Sequence, residues 1–338
     1  MIALRICLLT NQELDDLPLP DGDWPCDPRP YLPWADWTLQ VLDDKYTSVE
    51  RVTKRIEEGY DLFFNLCDGA EDQESPGVEV VKALEKHGVP FTGATTEFFE
   101  PTRKEQKAAC EKLGIATPRW VIARTELQIE RAAKKLKFPL FVKHYSSYAS
   151  IDLSRHSRAV TPEGLKRQAR KIISKHGAAL IEEYVEGTEC TVLVAENPNN
   201  HQKPITYTPI QYRFPEGETF KHSDLKWEDY SGLSAEPVLD RKLAKRMRDE
   251  SARFFLELKG ASFGRCDIRV DPDGVPHMLE INPNCGLYYP EADAASADLI
   301  LLNDKAGHVG FTELLVKSAL KRHGGATFRR LRAKRKTA

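Results

Sequence analysis

The chain of 338 residues has no glycine-rich phosphate loop: GxGxxG, GxxxxGKS/T and GxSxG are all missing. A nucleotide enzyme built on it must therefore grip phosphate with side chains or with another loop. The seven cysteines are odd in number and show neither CxxC spacing nor a Cys/His cluster. That argues against zinc and points to reduced thiols in a cytosolic setting. No window approaches the ~18–20 apolar residues of a membrane span. The opening MIALRICLLT is too short, and wrongly flanked, for a signal peptide. A net charge of −2 confers no polyelectrolyte character. A soluble, cytoplasmic protein is expected, with no membrane and no nucleic-acid partner. The length suits two or three domains, and 41% hydrophobic residues suffice for a substantial core.

What the chain does have is a hairpin signature at residues 264–286, GRCDIRVDPDGVPHMLEINPNCG. Asp271-Pro272-Asp273-Gly274 supplies turn chemistry, with Pro second and Gly fourth, between two runs of nearly alternating polarity. Alternation places Arg265, Asp267 and Arg269 on one face of the first arm. It places Met278, Glu280 and Asn282 on one face of the second, with room for a bulge at the turn. Two carboxylates, an amide oxygen and an arginine thus converge. Hard oxygens of this kind suit Mg²⁺, which keeps positions for phosphate oxygens. The competing reading is a solvated strand face with a cross-strand ion pair. The stiff Pro283-Asn284-Cys285-Gly286 turn after Asn282 ends the strand irregularly, as strands tend to end at functional sites.

Around the hairpin the chain alternates strand and helix. Residues 1–10 read as a strand entering the polar turn Asn11-Gln12-Glu13, and the Pro-, Asp- and Trp-rich run 17–34 as a long ordered loop. Residues 37–42 and 49–58 read as helical, 60–67 (YDLFFNLC) as a buried parallel strand, 78–87 as a helix and 89–93 as another strand. This predicts an α/β domain over residues 1–101. A helix over 104–113 stopped by Gly114, strands at 119–123 and 140–143, and a basic helix begun by Thr161-Pro162-Glu163 follow. With the apolar-then-acidic strand AALIEEYV (178–185), they predict an α+β unit over 102–189. A third unit over 190–325 holds strand 190–195, a polar connection at 214–227, and a long helix with Leu243, Met247, Phe254 and Leu258 facing the core. The hairpin and a helix over 311–320 complete it. Residues 326–338 read as a basic, frayed tail rather than a nucleic-acid arm.

Four segments in order now resemble one family: FNLCDGAEDQESPG (64–77), FPLFVKHYSSYAS (138–150), ALIEEYVEGTECT (179–191) and the hairpin block, with PFTG (90–93) and KLGIATP (112–118) in support. They are similar to the ATP-grasp carboxylate–amine ligases, and most to the D-alanine–D-alanine ligases. The resemblance implies an ATP-grasp fold of three domains, α/β and α+β, with nucleotide between the central and C-terminal domains. It also implies ATP, Mg²⁺ (two ions, with Mn²⁺ as a substitute), small-molecule carboxylate and amine substrates, and a homodimer formed through the N-terminal domain. By the same resemblance Asp267, Glu280 and Asn282 match the metal ligands. Arg265 and the backbone N–H of Gly286 match the oxyanion donors, and Ser150 matches a serine of the central phosphate loop. Lys143 and Arg103 match phosphate contacts. Glu182, Glu183 and Val185 match the adenine linker, used largely through its backbone, and Glu189 matches the ribose contact. Lys226 and Trp227 fall on a mobile loop over the γ-phosphate. Glu13, Asp68, Trp227, Tyr288, Tyr289 and Glu291 are the substrate candidates.

The activity so implied is phosphorylation of a carboxylate by ATP, then attack of an amine on the acylphosphate. Departures bear on the substrate. HYSSYAS carries no glycine where the family loop is rich in Gly and Ser, Trp227 replaces a tyrosine, and Asp68 stands near the family's His-Gly. GLYYPEADAASAD after the hairpin lacks the Ser-Leu segment that holds the acceptor carboxylate. A ligase joining an amine to an acid other than D-alanine is expected. The alternatives are D-alanyl-D-alanine synthesis itself and a catalytically silent ATP-binding regulator. Cys285 reads as a small buried thiol rather than a nucleophile.

Overall fold

Parallel strands buried on both faces set the first layer. In the computed structural model, which describes residues 4–15, 25–146, 152–221 and 233–324, β1 (Arg5–Thr10) lies between β2 (Asp36–Val41) and β3 (Leu62–Asn65), parallel to both. Cys7, Leu9 and Phe63 pack toward Val52 of α1 (Lys45–Glu57) and Val80, Val81 and Leu84 of α2 (Val78–His87). Their neighbours Ile6, Leu8 and Phe64 pack the other way, with Phe311 and Leu315. Residues 37–42 are therefore a strand, not the helix that their apolar spacing suggests. Trp37 and Leu39, two apart, face the same cluster, and Trp37 meets Phe64 edge-on at 5.7 Å. Pairing along β1 outweighs local propensity here. Residues 89–93, expected to be a strand, contribute only a bridge between Phe63 and Phe91. Pro90 has no N–H to extend the ladder.

The central sheet is antiparallel, in the order β4 (Trp120–Ala123), β7 (Ala179–Glu183), β5 (Leu140–His144), β6 (Arg158–Ala159). Helices α4 (Glu126–Lys135) and α5 (Pro162–His176), capped by the side chains of Thr125 and Thr161, cover it. Ile129, Leu140, Val142, Leu165, Ile172 and Ile181 close a core drawn wholly from this layer. Helix α3 (Arg103–Leu113) begins in a capping box of Thr102 and Glu105 and stops at Gly114, φ 65°. Its Ala109 and Cys110 join the core that α2 shares with the largest sheet.

That sheet runs β11 (Ser234–Pro237), β10 (Ile210–Arg213), β8 (Thr188–Ala195), β12 (Phe263–Val270), β13 (Pro276–Asn282), with β9 (Ile205–Thr206) also on β8. Helix α6 (Arg241–Glu257) buries Met247 and Phe254 against it, while Leu243 and Leu258 pack at the margin. Helices α7 (Ser296–Leu302) and α8 (Gly307–Arg322) close the opposite side. Among the described residues no helix is long and apolar enough to cross a membrane.

Candidate active site

The hairpin turn forms as its residues dictate. The Asp271 carboxylate accepts the amides of Asp273 and Val275 at 3.0 and 2.8 Å, and Gly274 takes φ 78°. Arg265 lies opposite Asn282, and Asp267 opposite Glu280. The register then slips between Asp267 and Ile268, so the bulge is in the arms rather than at the turn. That slip corrects one expectation. Met278 does not share a face with Glu280; it opposes Ile268 and is buried in the core beside it, and Leu279 lines the cleft instead.

Arg265, Asp267 and Glu280 open onto a cleft between this hairpin and the central sheet, which contributes Phe141, Lys143, His144 and Glu182. Asp267 is gripped in a fork, Arg265 Nε donating to Oδ1 at 2.9 Å and Nη2 to Oδ2 at 2.8 Å, and Thr191 Oγ1 adds a third bond at 3.0 Å. Burial raises the Asp267 carboxyl's pKa, but the Arg265 guanidinium outweighs it and holds the net value below the ordinary one. Glu280 pairs with Arg103, and Lys143 Nζ stands 3.6 Å from it.

Behind them sits a second charged group. Glu182, matched by resemblance to the adenine linker largely through its backbone, sends its side-chain carboxylate to Lys143 at 2.7 Å and Lys107 at 3.0 Å and is 3% exposed. Burial by itself raises its pKa; the two ammonium groups overcome that and bring it down to about 2. Lys143 is pushed down to about 7, first by burial and then by the charges of Arg103 and Lys107, with Glu182 opposing. Lys107 also donates to Thr117 at 2.8 Å, whose hydroxyl donates to the Met278 carbonyl at 2.8 Å, tying α3 to the hairpin.

The far end of the cleft is apolar. Phe141 and Phe220 meet edge to face at 5.0 Å, and Tyr184 lies 5.9 Å from Phe141. Arg269 organises this end from below. It donates to the carbonyls of Val185 (2.7 Å), Gly187 (2.8 Å) and Thr219 (2.9 Å), and to Glu189 (3.3 Å), with its guanidinium 4.7 Å from the centre of the Tyr184 ring. Lys221 lies 3.7 Å from Glu189 and over the Tyr212 ring. Glu183 turns outward to Arg119 at 3.2 Å. The sequence named Arg269 only as a face-mate of Arg265, offered Lys107 only as a substitute for Arg103, and did not mark Phe141, Tyr184 or Phe220. An arginine that binds carbonyls, and rings that meet only across three segments, leave no local motif.

A second cavity begins where β13 ends. Asn284, Cys285, Gly286, Leu287 and Tyr289 face Asn65, Leu66, Cys67, Asp68, Gly93, Cys26 and Phe263. Gly286 is required there by packing, since a Cβ would lie 2.9 Å from the Tyr289 ring. Three substrate candidates fall elsewhere. Tyr288 is core, 2% exposed, its hydroxyl 2.9 Å from Thr312. Its φ of 67° turns successive side chains apart, so Tyr289 lines the cavity and Tyr288 does not. Glu291 is exposed on a single 3-10 turn. Glu13 is exposed and accepts the Asp15 amide at 3.1 Å, closing its own turn. Ser150, Lys226 and Trp227 lie outside the described residues.

The donor set fits a hard divalent cation. Asp267 and Glu280 are paired across the ladder, offer carboxylate oxygens to one cleft, and each already binds a cationic side chain. Asn282 Oδ1 accepts the Asn284 amide at 2.9 Å, which leaves its second lone pair. Among the described residues no three His, Cys, Asp or Glu side chains cluster as a metal site, so any cation here rests on two carboxylates and an amide.

The chain is similar to known proteins in sequence and in fold. The family model described as D-ala D-ala ligase C-terminus matches residues 110–291, just over half of the chain. The uncharacterized protein y4sG of Sinorhizobium fredii is 28% identical over 237 residues, covering 67% of this chain and 66% of that protein. The D-alanine–D-alanine ligase of an Azoarcus species is 26% identical over 239 residues, 68% of this chain and 72% of that one. The matched stretch thus spans about two thirds of these relatives' length. A solved D-alanine–D-alanine ligase from Bacillus anthracis, complexed with ATP, superposes with a TM-score of 0.66 at 17% identity, covering 96% of this chain and 99% of that one. At that identity the likeness establishes the fold.

Proposed function

Because this chain belongs to the D-Ala–D-Ala ligase family and has its ATP-grasp fold, we propose that it is an ATP- and Mg²⁺-dependent ligase joining a small carboxylate to an amine. One observation carries the reading: a single cleft joins an apolar, ring-lined end to a cluster where Arg103, Lys143 and Arg265 face Asp267 and Glu280. The apolar end suits adenine beside Val185, and Glu189 suits the ribose. The charged end suits the phosphates. The division into units at 1–101, 102–189 and 190–325 belongs to the same proposal.

The acid's carboxylate oxygen attacks the γ-phosphorus, the bond from that phosphorus to the bridging oxygen breaks, and ADP leaves. The amine then attacks the acylphosphate carbonyl carbon, loses a proton, and the tetrahedral adduct expels phosphate. Bringing carboxylate to phosphate opposes two anions. Lys143 and Arg103 offset that repulsion, and Arg265, whose Nε and Nη2 grip Asp267, keeps Nη1 as a donor to the oxyanion, each such donor worth on the order of 3 kcal/mol in a dry site. Asp267, Glu280 and Asn282 would hold Mg²⁺, or Mn²⁺ in its place, which when bound supplies further positive charge at the transferring phosphate. The Glu182 side chain holds Lys143 toward the cleft, while adenine contact by the linker at Glu182, Glu183 and Val185 is proposed through its backbone.

The test is release of ADP and phosphate from ATP across a panel of acids and amines, with products checked by mass. Stimulation by an acid–amine pair is expected, and a protein that binds ATP without turnover would be a silent regulator. D-alanine alone belongs in the panel as the direct check on dipeptide synthesis. Glu280→Gln is expected to abolish turnover while the thermal melt stays cooperative; near-normal turnover refutes the metal assignment.

A further inference from the structure

In a chain with no glycine-rich loop, phosphate must be gripped by side chains, so any positive charge that the cleft's own carboxylates leave unmatched bears on the ligand. Among the described residues three ionic groups border the cleft, apart from the outward-turned Glu183. Asp267 with Arg265 is balanced. Arg103, Lys107 and Lys143 against Glu182 and Glu280 leave one positive charge over. The third group is Glu189, shared by Arg269 at 3.3 Å and Lys221 at 3.7 Å, and it too leaves one over. Its two cations are not alike. Arg269 is 3% exposed and commits its guanidinium to Glu189 and to the carbonyls of Val185, Gly187 and Thr219. Lys221 lines the cleft, with its side chain 17% exposed, and holds its neighbours loosely. Its Nζ is beyond hydrogen-bond length from Glu189, a long 3.4 Å from the Ser296 hydroxyl, and 3.1 Å from the centre of the Tyr212 ring. The ring steadies the charge, and an ammonium with three donors keeps capacity for an anionic oxygen. Burial raises the Asp267 carboxyl, and Arg265, with Lys221 after it, brings it back below the ordinary value, so the Lys221 charge reaches the candidate metal position. Lys143 stands on the central sheet and Lys221 on the connection from β10 to β11 of the largest sheet. A polyphosphate between the two sheets would meet a lysine from each.

We propose that Lys221 is a further phosphate-binding residue, its ammonium donating to a non-bridging oxygen of the nucleotide's phosphate chain between the ribose position at Glu189 and the cation position at Asp267. The proposal rests on the nucleotide-dependent ligase reading of the cleft. Its basis is the unmatched charge: Glu189 already has Arg269, so Lys221 is left to answer an anion that enters with the ligand. A role confined to holding Glu189 for the ribose would act on every adenosine ligand alike, with or without phosphate.

Isothermal titration calorimetry on the full chain with Mg²⁺ compares ADP with adenosine, the latter by displacement of ADP, in the unaltered protein, Lys221→Met and Lys221→Arg. Methionine keeps an unbranched, polarizable chain against the Tyr212 ring and removes the charge. Lys221→Met is expected to weaken ADP binding by about tenfold or more, as the loss of one charge-assisted contact predicts. Adenosine affinity and the thermal melt are expected to stay unchanged, and Lys221→Arg, which restores the charge, to recover most of the ADP affinity. Undiminished ADP binding by Lys221→Met, a loss for adenosine as large as that for ADP, or an arginine variant no better than the methionine one overturns the proposal. If the unaltered protein binds no ADP, the nucleotide reading falls and the proposal with it. A Lys221-dependent ADP affinity without turnover for any acid–amine pair would overturn the ligase reading and leave the Lys221 assignment standing.

Discussion

Glu182→Gln separates a charge that positions Lys143 from a residue that merely borders the nucleotide. Glutamine keeps the shape of the side chain and removes only its charge. Five ionised groups meet at this place: Arg103, Lys107 and Lys143 against Glu182 and Glu280. The substitution shifts their balance from one net positive charge to two, in a spot where Glu182 and Lys107 are 3% and 1% exposed. At about 3 Å and an effective dielectric of ~20, each contact is worth roughly 5 kcal/mol before desolvation. Removing one partner of a buried pair typically costs about 3–5 kcal/mol. Lys143, already pushed down to about 7, can relieve part of this by losing its proton. We therefore expect a loss of about 2–4 kcal/mol in urea unfolding at pH 7.5. ATP affinity is expected to fall by about tenfold or more, because a neutral Lys143 no longer attracts phosphate. Glu183→Gln is the control. Its carboxylate is on the outward side with Arg119 at 3.2 Å, and a surface pair is worth about 0–1 kcal/mol. If Glu182→Gln unfolds like the control and binds ATP normally, the charged cluster is not what positions Lys143.

Gly187→Ala should destabilise by about 1–3 kcal/mol and weaken nucleotide binding, because φ is 125° and the new Cβ would sit 2.0 Å from the Val270 carbonyl; an unchanged melting curve refutes it. His323 is held down at about 4 by burial and by Arg322, below its unfolded value of ~6.5. The folded state thus binds fewer protons in that window, and stability falls as pH drops from ~6.5 toward 4. His323→Gln should flatten that fall in unfolding measured across the same range. Burial pushes the thiols of Cys7, Cys110, Cys190 and Cys285 up to about 12, so they should resist a disulfide reagent at pH 8 until denaturant is added; rapid native labelling of Cys285 would contradict its burial.

Elements with their own punctuation were legible in the sequence. Helix α2 covers the residues expected, α3 stops at Gly114 and α5 starts after the Thr161 cap, as their sequence predicts. The hairpin and its facing Arg265, Asp267 and Glu280 were legible because period-two alternation survives up to the bulge. What failed was set by partners distant in sequence. Residues 37–42 carry spacing that suits a helix and become a strand because β1 lies beside them. Met278 changes face because one extra residue enters the ladder, which no composition reveals. The pairing of the Glu182 side chain with Lys107, 75 positions earlier, adds a role that the linker reading of its segment did not include. Tyr288 and Tyr289 look equivalent as letters and are separated by one left-handed φ.

The central sheet keeps its apolar core to itself, and this fixes how the unit can be displaced. Ile129, Leu140, Val142 and their neighbours lose no burial if the layer swings away from the hairpin. What must give way is largely ionic: Lys107 with Glu182, Lys143 near Glu280, Arg269 on the Val185 and Gly187 carbonyls. Phe220 adds ring contacts across the gap with Phe141 and Tyr184. Opening of the nucleotide cleft is therefore governed by charge rather than by the hydrophobic effect. These charges are buried, where added salt screens little, so parting the layers means exposing ions to water more than exposing apolar surface.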